Sequence, residues 1–347
     1  MEVIKYPSKA DWPSLVKRPA LDVTTLFDTV RTVLNEVRSE GDAAVKRYEE
    51  KFDKVTLSGL QVSEEEIKEA RELVSENLKQ AIRIAKANIE KFHTSQRFIG
   101  QKVETTSGVT CWQKAVAIEK VGLYIPGGTA PLFSTVLMLA VPAHIAGCKE
   151  IVLCTPPNRE GKVHPAILFA AETAGVSKIF KAGGIQAIAA MAYGTESVPK
   201  VYKIFGPGNQ YVTAAKQLVS LKDVAIDMPA GPSEVEVIAD GTANPDFIAA
   251  DFLSQAEHGA DSQAMLVTSA ESIVSPLVDA IQQQLSELSR KDITAKALEH
   301  SRIIVLKDEP EVIAFTNMYA PEHLIIQTEN YAHIAEQIEN AGSVFMG

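Results

Sequence analysis

The chain has 347 residues, 46% of them hydrophobic and 22% charged, and its formal net charge at pH 7 is −10. This length is too great for one ordinary hydrophobic core, so it predicts two domains or one large α/β unit. The excess of acidic over basic residues argues against a nucleic-acid or acidic-membrane partner bound by charge alone. No apolar run approaches the roughly 18 residues of a membrane span.

The cysteines indicate a reducing compartment. Cys111, Cys148 and Cys154 are odd in number and contain no CxxC pair, so they predict neither a disulfide framework nor a cysteine zinc site. The opening residues, MEVIKYPSKADW, lack the apolar core of a signal peptide. We therefore expect a cytoplasmic protein.

The first part of the chain is predicted to be helical after a short arm. Residues 1–20 are punctuated by three prolines, which is typical of an irregular N-terminal arm. Residues 26–37 alternate apolar and charged side chains at helical spacing. A capping box at 63–66 begins a further helical pattern, which continues to Lys91 with a break near Ser75.

From residue 115 onward, short apolar runs alternate with helical patterns. The predicted strands are 121–125, 151–154, 178–180 and 201–205, and the predicted helices are 131–146, 166–174, 186–193 and 211–221. This alternation predicts a parallel sheet with helices on both faces. Ligands of such sheets bind beyond the carboxyl ends of the strands, where these turns repeatedly carry Gly or Pro.

A second alternating set begins with a helix that Asn244 can cap, with Pro245 at its first position and Gly259 just past its end. The set continues with strands at 265–268, 303–306, 324–327 and 344–346 and helices at 273–285, 312–319 and 334–338. The sequence stops at Gly347, directly after a strand. We expect the natural protein to continue beyond this residue.

Two glycine turns leave two interpretations open. Gly206-Pro207-Gly208-Asn209 opens like the dinucleotide fingerprint, but Tyr211 stands where the third glycine belongs. The turn is either a tight βαβ connection or a place where helix N–H groups face a phosphate or carboxylate, with Asn209 adding a contact. Gly127-Gly128 is similar, and Tyr124 before it is either a core residue or a cofactor contact.

Three polar segments are candidates for chemistry, each with a plainer alternative. Gln255 and His258 lie on one side of a last helical turn and could share a metal, or His258 could only complement the helix dipole. The segment 227–234 is either a linker or a loop lining a cleft. Glu322 and His323, adjacent in a helix-to-strand connection, are either two proton-transfer groups or an exposed polar turn.

Five segments together resemble one enzyme family. They are VGLYIPGGTAPLFSTVLMLAVPA (121–143), KIFGPGN (203–209), DMPAGPSEV (227–235), LSQAEHGADSQ (253–263) and APEHLI (320–325). In this order they resemble L-histidinol dehydrogenase from about residue 20 to the end. The resemblance implies an α/β fold of two incomplete Rossmann-like domains, each with a parallel sheet between helices, plus the N-terminal helical arm over 1–20.

The resemblance also implies how the chain divides. Residues 21–123 and 236–347 would form a discontinuous zinc-binding catalytic domain, and residues 124–235 an NAD-binding domain. The family forms homodimers. Its C-terminal tail domain has no counterpart in this sequence.

The resemblance implies a reaction and assigns roles by matching motifs. The family oxidises L-histidinol through L-histidinal to L-histidine, with two NAD⁺ and a bound zinc. His323 would take the substrate hydroxyl proton, and Glu322 would activate water for attack on the aldehyde. The further implied contacts are Gln255 and His258 with zinc, Ser233, Gln255, His258 and His323 with histidinol, and Tyr124, Gln186 and Asn209 with NAD.

One departure from the family pattern bears on activity. The family carries an Asp zinc ligand beyond this point and a tail His ligand that reaches the other subunit's site, and this sequence contains neither. With two of four protein ligands, we expect weak or absent zinc binding. The competing hypotheses are a zinc- and NAD-dependent enzyme acting on histidinol, a non-catalytic module that binds NAD or a histidinol-like ligand, and another metal-assisted enzyme on the same fold.

Overall fold

A computed structural model describes residues 1–19, 23–127, 131–229 and 231–347 of the chain. The chain forms two compact units. Unit 1 comprises Met1–Leu21 and Ala230–Gly347, and unit 2 comprises Asp22–Pro229.

This division differs from the predicted one. Residues 22–123 group with the segment that follows them, whereas the sequence placed 21–123 with 236–347. The reason is the apolar face of the early helices. Val33 and Val37 belong to the same buried cluster as Ile188 and Val212, so the N-terminal helices complete the core of unit 2.

Every strand of the two large sheets is parallel to its neighbours. The strands of the described residues are β1 (Glu2–Lys5), β2 (Val103–Thr106), β3 (Val109–Cys111), β4 (Lys120–Tyr124), β5 (Glu150–Thr155), β6 (Lys178–Lys181), β7 (Lys203–Phe205), β8 (Ala225–Ile226), β9 (Glu234–Ala239), β10 (Gln263–Thr268), β11 (Arg302–Val305), β12 (His323–Gln327) and β13 (Ser343–Met346). Unit 1 has the order β1-β11-β10-β9-β12-β13, and unit 2 the order β6-β5-β4-β7-β8. Among the strands of the described residues, β2 and β3 pair antiparallel in a separate hairpin, and a single antiparallel bridge joins Gln61 to Phe180 of β6.

Both sheets have the same topology. Counted from β9 in unit 1 and from β4 in unit 2, five strands lie in the order 3-2-1-4-5. This is the Rossmann order without its last strand. The prediction of two incomplete Rossmann-like units is therefore confirmed, and unit 1 adds β1 at one edge.

Helices cover both faces of each sheet. The helices are α1 (Trp12–Leu15), α2 (Phe27–Glu40), α3 (Asp42–Tyr48), α4 (Glu64–Leu73), α5 (Glu76–Ser95), α6 (Phe133–Ala146), α7 (Pro165–Thr173), α8 (Gly184–Tyr193), α9 (Gln210–Ser220), α10 (Pro245–Ala256), α11 (Val274–Glu287), α12 (Lys291–His300), α13 (Glu309–Tyr319) and α14 (Tyr331–Ala335). Each sheet has one buried apolar cluster on either face. Burial on both faces explains why the strands are near-continuous apolar runs.

Several elements depart from the predictions. The N-terminal arm contains β1, which pairs with β11, followed by the short α1. The second alternating set begins with β9 rather than with a helix, and α10 ends at Ala256 rather than near Gly259. Within the described residues, no helix is long and apolar enough to cross a membrane.

Candidate active site

The candidate residues of unit 1 lie at the amino edge of its sheet. His323 is the first residue of β12, and Ser233 directly precedes β9. Helix α10 runs back from the carboxyl end of β9, so Gln255 and His258 also return to the amino edge, just before β10 begins. Because the strands are parallel, these residues share one edge. The sequence predicted ligands at the carboxyl edge, so unit 1 differs from that expectation.

The connection from α13 to β12 places Glu322 and His323 at this edge. Helix α13 ends at Tyr319, and Ala320 caps it in a left-handed conformation with φ of 52°. Pro321 cannot continue a helix, since it has no N–H to donate. The backbone of Glu322 is held on both sides, because its N–H donates to Glu234 Oε1 at 2.9 Å and its carbonyl accepts from Ser343 N at 2.9 Å.

The His323 ring has a defined orientation. Its Nδ1 lies 3.1 Å from the backbone carbonyl oxygen of Glu234 and 3.8 Å from Glu322 Oε2. A carbonyl oxygen can only accept, so Nδ1 carries a proton, and in the neutral ring the lone pair is on Nε2. The His323 side chain is 32% exposed and the Glu322 side chain 56%. The pair can therefore supply a base and a carboxylate to a ligand from solvent.

Sequence reasoning missed the carboxylates beneath this pair. Glu234 and Glu236 point to the same face of β9, and both are buried. Glu234 is paired with Arg18, while Glu236 accepts from the Thr316 hydroxyl. Burial raises the pKa of Glu236 to about 8, so this carboxyl is largely neutral at pH 7. Two acidic residues in a central strand were the available sequence signal.

Gln255 and His258 offer a metal two donors. The His258 N–H donates to the Gln255 carbonyl at 3.1 Å, which closes the last turn of α10, and the His258 side chain is exposed. In the described parts of the chain, no group of three or more His, Cys, Asp and Glu side chains could hold a metal. A tightly bound zinc needs at least three protein ligands. The residues present therefore do not complete a zinc site.

In unit 2, the predicted cofactor residues lie at the carboxyl edge of the sheet, next to its switch point between β4 and β7. Tyr124 ends β4, and its hydroxyl accepts from Gly184 N at 3.1 Å. Gln186 is fully buried, and its Nε2 donates to Glu49 Oε1 at 2.8 Å. Gln186 Oε1 has no hydrogen-bond partner among the described residues. The first turn of α8 thus connects the two residues, because it contains Gln186 and its Gly184 N–H bonds to Tyr124.

Asn209 lies at the start of the next helix, α9, where it is exposed. Its Oδ1 accepts from the N–H groups of Tyr211 and Val212, at 3.0 and 3.1 Å. At α8, the N–H of Gly183 donates to Glu49. Two of the α9 N–H groups that the sequence offered to a phosphate, those of Tyr211 and Val212, are thus bonded within the protein. Residues 128–130 and Ala230 of the quoted motifs lie outside the described residues.

Glu49 is the residue of unit 2 that sequence reasoning missed. It is fully buried in a π-helical turn over Glu49–Asp53. Burial raises its pKa to about 7, while its hydrogen bonds from Gly183 and Gln186 oppose that shift. The segment YEEKFD contains several acidic residues. Its sequence does not show that Glu49 is buried while its neighbour Glu50 is exposed.

Two incomplete Rossmann-like units, one with a Glu–His pair at the edge of its sheet, define an α/β protein whose fold is one that dinucleotide-dependent enzymes use. The sequence profile of the histidinol dehydrogenase family matches residues 16–347. The chain therefore belongs to the histidinol dehydrogenase family, and it is an oxidoreductase of histidine biosynthesis.

Relatives and solved structures agree with this assignment. The chain is 70% identical to histidinol dehydrogenase of Bacteroides thetaiotaomicron over 347 residues, covering 100% of this chain and 81% of that protein. It is 53% identical to the Escherichia coli (strain K12) enzyme over 336 residues, covering 96% of this chain and 76% of that protein. The crystal structure of histidinol dehydrogenase from Elizabethkingia anophelis matches with a TM-score of 0.98 at 54% identity, covering 100% of this chain and 80% of that one.

Proposed function

We propose that the chain oxidises L-histidinol through L-histidinal to L-histidine with two molecules of NAD⁺. The observation that carries this proposal is the hydrogen bond from His323 Nδ1 to the Glu234 carbonyl. In the neutral ring this bond places the proton on Nδ1 and leaves Nε2 to accept one, and the Glu322 carboxylate lies 3.8 Å from Nδ1, so a base and a carboxylate are together, as an alcohol oxidation followed by aldehyde hydration requires. The family membership supports the choice of substrate.

His323 and Glu322 divide the proton transfers in this proposal. In the first oxidation, His323 Nε2 takes the hydroxyl proton of histidinol while the carbinol hydride leaves for NAD⁺. Glu322 then takes a proton from water as the water oxygen attacks the aldehyde carbon. The resulting hydrate anion loses a second hydride, for which another NAD⁺ would be the acceptor, and becomes the carboxyl group of histidine. Ser233, Gln255 and His258 would hold the substrate with His323.

Tyr124, Gln186 and Asn209 are the proposed NAD contacts, and NAD supplies the hydride acceptor when bound. The buried, unpartnered oxygen of Gln186 fits this role, since a buried acceptor without a donor is costly unless a ligand supplies one. Asn209 has its Oδ1 committed to α9, so it would contact NAD through Nδ2. Cytoplasmic location and a homodimer belong to the same proposal.

Gln255 and His258 are the proposed zinc ligands. Because the two donors do not complete a zinc site, no proton or hydride transfer above is routed through the metal. This incompleteness also favours a second candidate function, a non-catalytic module that binds NAD or a histidinol-like ligand without turnover.

Histidinol-dependent NADH formation by the 347-residue chain, with zinc supplied, tests the proposal. His323→Asn should abolish NADH formation from histidinol. Glu322→Gln should retain the first oxidation but slow the oxidation of supplied histidinal, so the yield approaches one NADH per histidinol. The matched control is His333→Asn, because His333 and Glu309 form another exposed His–Glu pair at 3.7 Å in unit 1.

The outcomes separate the two functions. NADH formation that depends on His323 but not on His333 supports the dehydrogenase. Calorimetric binding of NAD and histidinol without NADH supports the non-catalytic module. Full activity in His323→Asn contradicts the assigned base.

A further inference from the structure

The N-terminal segment brings a cation to the amino edge of the sheet in unit 1. Arg18 donates from Nη2 to Glu234 Oε1 at 2.9 Å, and its Nε donates to Glu234 Oε2. The same Nη2 lies 2.7 Å from the carbonyl oxygen of Tyr319 and 2.9 Å from that of Ala320. The guanidinium also lies over the Tyr319 ring, 4.4 Å from its centroid. One side chain therefore contacts both β9 and the connection that carries the Glu–His pair.

Glu234 extends these contacts to Glu322 and His323. Its Oε1 accepts from the Glu322 N–H, and its backbone carbonyl accepts from His323 Nδ1. The Glu234 side chain is 10% exposed and that of Arg18 is 40% exposed, so their bonds are partly shielded from water. The same residue thus fixes the backbone of the carboxylate and the tautomer of the imidazole.

The connection needs such support because its conformation is strained. Ala320 adopts a φ of 52°, which costs an L-residue energy that glycine avoids. The carbonyls of Tyr319 and Ala320 at this turn both accept from Arg18. A planar guanidinium can serve a carboxylate and two carbonyls at once, whereas a lysine ammonium is a compact point charge on a flexible stem.

We propose that Arg18 and Glu234 are positioning residues for Glu322 and His323, and that the Arg18–Glu234 pair holds His323 with its proton on Nδ1. This inference rests on the proposed roles of Glu322 and His323. Arg18 acts through Glu234 and the 319–320 carbonyls, and neither Arg18 nor Glu234 exchanges a proton with substrate. The neutral state of Glu236 fits this arrangement, because Glu234 is then the ionised carboxylate that Arg18 pairs with.

Nitrogen-15 NMR of the imidazole rings tests the inference without relying on turnover. Among the seven histidines, the His323 signals are identified by their loss in His323→Asn. At pH 9, where exposed imidazoles are neutral, the parent chain should show His323 as the Nδ1–H tautomer. Arg18→Leu should give a mixture of both tautomers, and Arg18→Lys a smaller fraction of the second tautomer.

Arg302→Leu is the matched control. Arg302 also ties the N-terminal segment to unit 1, but its Nη1 donates to the Leu15 carbonyl at 2.6 Å and its Nε faces Glu2. This variant should lose a comparable tether and keep the tautomer of His323. If Arg18→Leu does not fold, Arg18→Lys carries the comparison. An unchanged tautomer in the folded Arg18 variants overturns the proposal, as does an equal change in Arg302→Leu.

Kinetics provide a second readout that distinguishes this inference from the proposed function. Arg18→Leu should lower kcat about tenfold or more, because a misplaced base is costly, while KM for NAD stays near the parent value. Arg302→Leu should change neither kcat nor the KM for NAD. If the parent chain forms no NADH, the proposed function fails, and the tautomer comparison still decides whether Arg18 orients His323.

Discussion

Glu236 has a fully buried carboxyl group in the middle of a parallel sheet. One oxygen accepts from Thr316, and the other has no hydrogen-bond partner among the described residues. Water would stabilise the ionised form in the unfolded chain, and the core does not. The residue therefore makes the stability of unit 1 depend on pH.

We predict that the free energy of unfolding falls as pH rises from about 4.5 to about 8, the ordinary and the raised pKa of Glu236. Between these values the folded state holds a proton that the unfolded state has released, so rising pH favours unfolding. Glu236→Gln should reduce this fall by about 1 kcal/mol or more, since one pKa unit corresponds to about 1.4 kcal/mol.

Urea unfolding at pH 5, 7 and 9 measures the effect. Glu49, whose pKa is also raised, is present in both proteins, so the difference between parent and variant isolates Glu236. Parallel pH profiles for the two proteins would contradict the prediction.

The N-cap residue of helix α9 has one structural role and one proposed role. Asn209 caps the helix through Oδ1 and is proposed to contact NAD through Nδ2. Asn209→Ala should lower the free energy of unfolding by about 1 kcal/mol, the usual cost of losing an N-cap. Asn209→Asp should keep that stability, because Asp caps as well as Asn, but it has no Nδ2 for the cofactor.

Unfolding curves and calorimetric NAD titrations of both variants measure the two tasks separately. Weaker NAD binding in Asn209→Asp at unchanged stability supports the contact. Parental NAD affinity in Asn209→Asp would show that Asn209 only caps the helix.

The elements best predicted from sequence are those whose pattern needs no tertiary information. The alternation of strands and helices after residue 115 predicted both parallel sheets, and the capping box at Ser63 is present with both of its hydrogen bonds. The strand β9 was missed because its acidic residues suggest an exposed segment. Hydrogen bonds from residues distant in sequence, Arg18 and Thr316 among them, compensate for the burial of these carboxyl groups.

In the candidate site, too, contacts between residues distant in sequence could not be predicted. Glu322 and His323 are adjacent in the chain, so their pairing was visible in the sequence. Arg18 lies 216 residues from Glu234, and no local pattern connects them. The candidate residues of unit 1 lie at the amino edge rather than the predicted carboxyl edge, because their edge depends on which end of β9 and β12 they occupy rather than on their motifs.

Zinc binding depends on how many donors the whole molecule brings to one place. Gln255 and His258 supply two donors, so we predict that this chain binds zinc weakly or not at all. Equilibrium dialysis of the 347-residue chain measures it, with Gln255→Ala and His258→Ala as the comparison. Tight binding of one zinc per chain, lost in either variant, would contradict the prediction.

The edge strand β1 has a consequence for synthesis on the ribosome. Residues Glu2–Lys5 pair with Arg302–Val305, and the whole of unit 2 is encoded between them. At about 5–20 residues per second, the first strand waits roughly 15–60 s for its partner to be made. Unit 2 has its complete sequence well before that time. The order of translation therefore favours folding of the inserted unit first, while β1 stays unpaired until residues 302–305 have been made.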